Sequence, residues 1–77
     1  MTLGNLIRSI NVQGVLRISI WNEDDDEVFC SEVRDDNRIT IYEVESLMKG
    51  LSKQKIIYMY PINDTLTVEV EGTGLNI

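Results

Sequence analysis

Apolar positions set the reading frame of this chain before any single residue does. Leu3, Leu6, Ile7 and Ile10 recur at the spacing of one helix face behind Thr2, a side chain suited to capping a helix start. The spacing predicts a short amphipathic helix over residues 3–10, broken by Gln13-Gly14. From Val15 the period drops to two, with Leu16, Ile18 and Ile20 on one side and Val15, Arg17, Ser19 and Trp21 on the other. Glu27 to Arg34 alternates again, so residues 15–34 read as a β-hairpin with a loop at 22–26, closed by the turn residues Asp35-Asp36-Asn37.

Thr40-Ile41-Tyr42-Glu43 has the T-x-x-E form of a capping box, and Ile39 can staple onto Val44. Val44, Leu47, Met48 and Leu51 continue at helical spacing, which predicts a second helix over 41–49 with Gly50 placed to end it. Lys55–Tyr60 and Thr65–Glu71 are β-rich runs separated by a turn at Pro61-Ile62-Asn63-Asp64, and Gly72-Thr73-Gly74 then releases a tail expected to fray. The order α-β-β-α-β-β predicts an α+β fold, a four-stranded antiparallel sheet with both helices on one face, in a single domain over 1–77. Residues 2–34 and 40–72 also superpose at an offset of 38 without a gap, the pattern an α-β-β duplication would leave.

Hairpin geometry sorts the side chains, since directly opposed residues share a face. With the first loop at 22–26, Leu16, Ile18 and Ile20 lie beside Val28 and Cys30, the expected floor for the helices; Trp21 lies with Phe29, Ser31 and Val33 on the other face. With the second turn at 61–64, Ile57 and Met59 go inward with Leu66, Val68 and Val70. Ile56, Tyr58 and Tyr60 go outward beside Thr65, Thr67 and Glu69. Four of the five aromatics, Trp21, Phe29, Tyr58 and Tyr60, are thus expected on the face that no helix covers. Three readings of that patch stay open: a sheet-on-sheet homodimer face carried by Phe29, Tyr58 and Tyr60, a surface for a foreign partner, or core rings misassigned by one residue.

Charge changes the picture more than composition does. Hydrophobic content of 43% and charged content of 26% are ordinary for a folded chain. The net charge is −6, yet residues 22–45 alone carry ten acids against Arg34 and Arg38, and the remainder is net positive. The chain should repel nucleic acid and anionic membranes and attract basic surfaces. No run approaches the roughly 20 apolar residues of a membrane span, and the start has no basic, apolar leader pattern, so a cytoplasmic place is expected. Cys30, the single cysteine, reads as a small buried hydrophobe, and Asn63-Asp64-Thr65 as a turn.

The acidic loop Glu23-Asp24-Asp25-Asp26-Glu27 fails the calcium-loop test. Starting at Asn22, the glycine position holds Glu27 and the bidentate glutamate position holds Val33. No histidine, nucleophile–base pair or phosphate-binding glycine loop is present, so neither a metal, a cofactor nor enzymatic activity is expected. A solvated turn is one reading of the loop. The other is recognition: Trp21 with Glu23, Asp24, Asp25, Asp26, Glu27, Asp35 and Asp36 occupying the Lys and Arg sites that phosphates would otherwise take.

The helix, the acid-tipped hairpin, the second helix and the closing strand "PINDTLTVEVE" resemble the short acidic α+β proteins encoded by phages and mobile elements of Gram-positive bacteria. The start "LGNLIRSI" followed by a strand is similar to small anti-CRISPR proteins that block an RNA-guided nuclease by imitating DNA. The resemblance implies a non-enzymatic inhibitor acting in a host cytoplasm on a defence or nucleic-acid-binding protein, without direct contact with nucleic acid. It transfers no site residue. The alternative is a homo-oligomeric module that binds or sequesters a small ligand through its sheet faces.

Overall fold

The computed structural model describes residues 1–9, 14–24, 26–35 and 39–75, and the side chains of all of these but Phe29, Arg34 and Asp35. Its elements are helix α1 (Leu3–Ser9), strands β1 (Gly14–Trp21) and β2 (Glu27–Asp35), helix α2 (Ile41–Leu47), a 3-10 turn at Leu51–Lys53, and strands β3 (Ile56–Ile62) and β4 (Thr65–Glu71). Thr2 caps α1 as its sequence position predicts: its hydroxyl accepts from Asn5 N at 3.1 Å and its carbonyl from Leu6 N at 3.2 Å. Leu3, Leu6 and Ile7 are buried, while Ile10 and Gln13 lie outside the described residues and Gly14 opens β1.

The capping box of α2 forms in both directions between Thr40 and Glu43, and Ile39 and Val44 are both buried in the core. The helix stops at Leu47, two residues earlier than predicted. The cause lies in Glu45, whose carboxylate accepts from Gly50 N at 2.8 Å and Ser52 N at 3.0 Å, as well as from the Ser52 hydroxyl. Those bonds draw the chain back into the 3-10 turn, with Gly50 in the left-handed region at φ +85°. Both helices make their closest backbone approaches to this turn, and their buried side chains share one core with the sheet, a placement that differs from the simple two-helix layer.

The sheet is mixed and curled, in the order β2-β1-β4-β3. Both predicted hairpins form, but β1 and β4 lie parallel at its centre, where an antiparallel join was expected. Two antiparallel pairs flanking a parallel one leave the edge strands β2 and β3 running in the same direction. Such strands need a crossover of a dozen or more residues, and the segment holding α2 and the 3-10 turn supplies it. The two α-β-β units therefore take inequivalent places: β1 is central and β3 is an edge. A symmetric duplication does not follow.

Two β-bulges, on opposite edges of the sheet, reset the faces. Trp21 pairs with Glu27 but Ile20 pairs with Phe29, so Val28 is the extra residue and everything after it changes side. Val33 joins the core opposite Leu16, whereas Val28 and Cys30, expected in the floor, are exposed. The register sets Phe29 opposite Ile20, not beside Trp21. Ile57 is the second extra residue; Ile56 pairs with Val70 and packs against the core, and Ile57 is left exposed. Beyond it Tyr58, Met59 and Tyr60 keep their predicted sides. The second turn has two residues rather than four, with Asn63 at φ 54°, and the even difference in length preserves parity.

The tail does not come loose at residue 72. Gly72 N donates to the Trp21 carbonyl at 2.8 Å, and Leu75 packs against the core. At the other terminus, Leu3 N donates to the Gln54 carbonyl and Ile56 N to the Met1 carbonyl, an isolated bridge that extends the sheet beside β3.

Candidate binding site on the uncovered face of the sheet

Register lays out the face turned away from the core as rows running from β3 across to β2. At the loop end Glu71 and Trp21 are neighbours; next come Tyr58, Glu69, Ser19 and Cys30, and then Tyr60, Thr67, Arg17 and Glu32. Tyr58 and Tyr60 are 65% and 36% exposed, so the rings sit on the surface, and Ile62 continues the apolar strip. Toward β1 the same face closes over. Ser19 and Thr67 are buried, and Arg17 Nη2 lies 3.5 Å from Glu27 Oε1 while the Ser19 hydroxyl donates to the other Glu27 oxygen. Two buried polar atoms here, Trp21 Nε1 and Thr67 Oγ1, have no hydrogen-bond partner, a cost of about 1–3 kcal/mol each when nothing fills the need.

Both bulges lie toward the Trp21 end of the sheet. There an open cavity of ≈ 340 Å³ is lined by Trp21, Asn22, Ile57, Tyr58 and Glu69. A second lobe of ≈ 200 Å³ shares Trp21, Asn22 and Ile57 and adds Glu23, Glu71 and Thr73. The bulge is what turns Ile57 into this groove. Glu69 stands directly between Tyr58 and Ser19 in register, two residues along the strand pair from Trp21. Glu23, Glu69 and Glu71 have no ion-pair partner among the described residues, although Lys55 lies at the same end, its carbonyl accepting from Glu71 N. An ≈ 250 Å³ groove between Arg17, Glu32, Ile62 and Thr67 continues the same face toward the second turn.

The described residues of the acidic loop are tied together through Asn22. Asn22 Oδ1 accepts from Asp24 N at 2.9 Å and Asp26 N at 3.0 Å, and Asn22 N donates to the Asp26 carbonyl. Glu23, Asp24 and Asp26 are exposed; Asp25 lies outside the described residues. Glu27 is engaged by Arg17 and Ser19. Asp35 pairs with Gly14 at the other end of the hairpin, about 25 Å away at the rise of an eight-residue strand, and Asp36 lies outside the described residues. Of the described acids in that set, Glu23, Asp24, Asp26 and Glu27 thus stand at one end of the hairpin and Asp35 at the other. Among the described residues no group of three metal-ligating side chains converges.

Cys30 is exposed opposite Ser19, with its thiol pushed above its ordinary value by partial burial and the nearby Glu27 and Glu32 carboxylates, against the pull of Arg17. That keeps it protonated and a weak nucleophile at neutral pH. Strand alternation sets Glu69 outward beside Tyr58 and Tyr60 without marking it as a site residue. Glu71, Asn22 and Ile57 were missed as well. The parity of β4 signals both glutamates; nothing local signals the bulge that brings in Ile57. Comparison with protein-family models, curated proteins and solved structures finds no match to this chain.

Proposed function

We propose that the chain is a non-enzymatic binding protein that docks its uncovered sheet face, rimmed by the Glu23–Asp26 loop, against a basic surface of a nucleic-acid-handling protein and so keeps nucleic acid off it. The observation that carries this reading is the exposed strip Ile57, Tyr58, Tyr60 and Ile62, bordered at its loop end by Glu23, Glu69 and Glu71, which have no ion-pair partner among the described residues. Aromatic anchors supply buried area at low entropic cost, and the acids supply the sign of the partner. The resemblance to acidic proteins of phages and mobile elements directs the search toward host defence nucleases.

The immobilised protein is expected to retain a basic nucleic-acid-binding protein at low salt. Duplex DNA should release it, as should shrinking the Debye length from about 10 Å at 0.1 M salt to about 3 Å at 1 M. Tyr58→Ala should abolish retention without altering the fold. Retention indifferent to DNA, to salt and to Tyr58 would overturn the reading.

A second reading rests on the edge strand β3, where Tyr58 and Met59 are exposed on opposite faces. An edge exposed on both sides suits pairing with a second copy.

A further inference from the structure

We infer that the groove between Trp21, Tyr58 and Glu69 is a binding site for an arginine side chain carried on an extended peptide segment. This gives the recognition chemistry of the same face and rests on the reading that the face is a contact surface.

Two rings, an aliphatic side chain, the Asn22 side chain and one carboxylate line the main lobe, and among the described residues no cationic side chain does. The volume, ≈ 340 Å³, is at the small end of those that hold ligands and suits one long side chain better than a folded domain surface. Tyr58 is mostly exposed, so its ring is free to be covered. Glu69 lies directly opposite Tyr58 and two residue pairs along from Trp21, its diagonal neighbour on the same face, within the reach of cross-strand and diagonal neighbours. A cation over an aromatic face is attracted by the ring quadrupole, and a carboxylate beside the ring fixes its position.

Guanidinium meets this geometry better than ammonium. It is planar, stacks on rings, binds a carboxylate through two parallel N–H donors and is less strongly hydrated. The second lobe explains why the arginine should belong to a peptide. Glu23 and Glu71 line it, so it favours a further positive neighbour, and Trp21, which lines both lobes, has a buried indole N–H with no acceptor.

The test uses the full chain and two tripeptides, acetyl-Gly-Arg-Gly-amide and its citrulline counterpart, which keeps the shape and removes the charge. Titration at low ionic strength is followed by Trp21 fluorescence and by amide chemical shifts. The expected result is saturable binding of the arginine peptide with shifts at Trp21, Ile57, Tyr58 and Glu69, and no response to citrulline. Glu69→Gln, which keeps the side-chain shape, and Tyr58→Ala should each weaken binding on the order of tenfold. Arginine binding no stronger than citrulline, or unchanged in Glu69→Gln with the fold intact by circular dichroism, overturns the inference. If the peptide is silent while a basic protein is still captured through Tyr58, the groove assignment fails and the contact face stands. If the peptide binds and no basic protein is captured, the site stands and the wider function falls.

Discussion

Gly4 shows how one hydrogen atom can fix the way two elements meet. A Cβ at this position would come within 2.9 Å of the Ser52 carbonyl oxygen and 3.3 Å of Ser52 Cβ. The crowding atom is backbone in the 3-10 turn, which Glu45 already holds, so the contact cannot relax cheaply. Alanine would gain up to about 1 kcal/mol of helix propensity but pay about 1–3 kcal/mol in overpacking. Gly4→Ala is therefore expected to be destabilising by roughly 1 kcal/mol, read as a lower urea midpoint at unchanged slope, or a melting temperature about 4–8 °C lower. A variant as stable as the parent would mean that α1 and the turn are not in close contact. The same scale separates Trp21 from Tyr58: the tyrosine is free to be truncated, while the half-buried indole has its nitrogen wholly inside. Tyr58 is thus the cleaner probe of any contact.

At the scale of elements, the junction of α2 with the 3-10 turn depends on one carboxylate. Hydrogen bonding by the Ser52 hydroxyl, then by the backbone of Gly50 and Ser52, lowers the Glu45 pKa below its ordinary value of 4.5. A lowered folded value means that the ionised form stabilises the fold. The contribution is complete above about pH 4.5 and disappears as pH falls through the lower folded value. The expected outcome is that the parent loses part of its stability between pH 4.5 and the acid limit, while Glu45→Gln shows a flatter profile and a lower plateau at neutral pH. Parallel profiles would remove Glu45 from this role. Capping boxes and helix faces of this kind were legible because Thr40, Glu43 and Val44 act within one turn of chain. The bulges were not. Residues 27–35 carry apolar side chains in both parities, Val28 and Cys30 in one and Phe29 and Val33 in the other, so alternation alone cannot say where an extra residue is absorbed. The parallel centre of the sheet was equally hidden, because it follows from how the crossover lies over the core.

For the whole molecule, charge decides between the two ways of covering the β3 strip. Each copy carries −6, and carboxylates border the strip, so bringing two copies together through β3 opposes like charges. Salt would screen that repulsion and strengthen a homodimer. A complex with a basic partner responds the other way, because salt screens the attraction that forms it. The sign of the salt dependence therefore identifies the occupant without knowing its name. Light scattering of the isolated protein is expected to give the 8.8 kDa of a single chain at low salt, and the same mass after the ionic strength is raised. A doubled mass that grows with salt and returns to one chain in Tyr58→Ala would assign the strip to a second copy. It would also withdraw the arginine groove from solution, since Tyr58 cannot cover a guanidinium and a neighbouring strand at once.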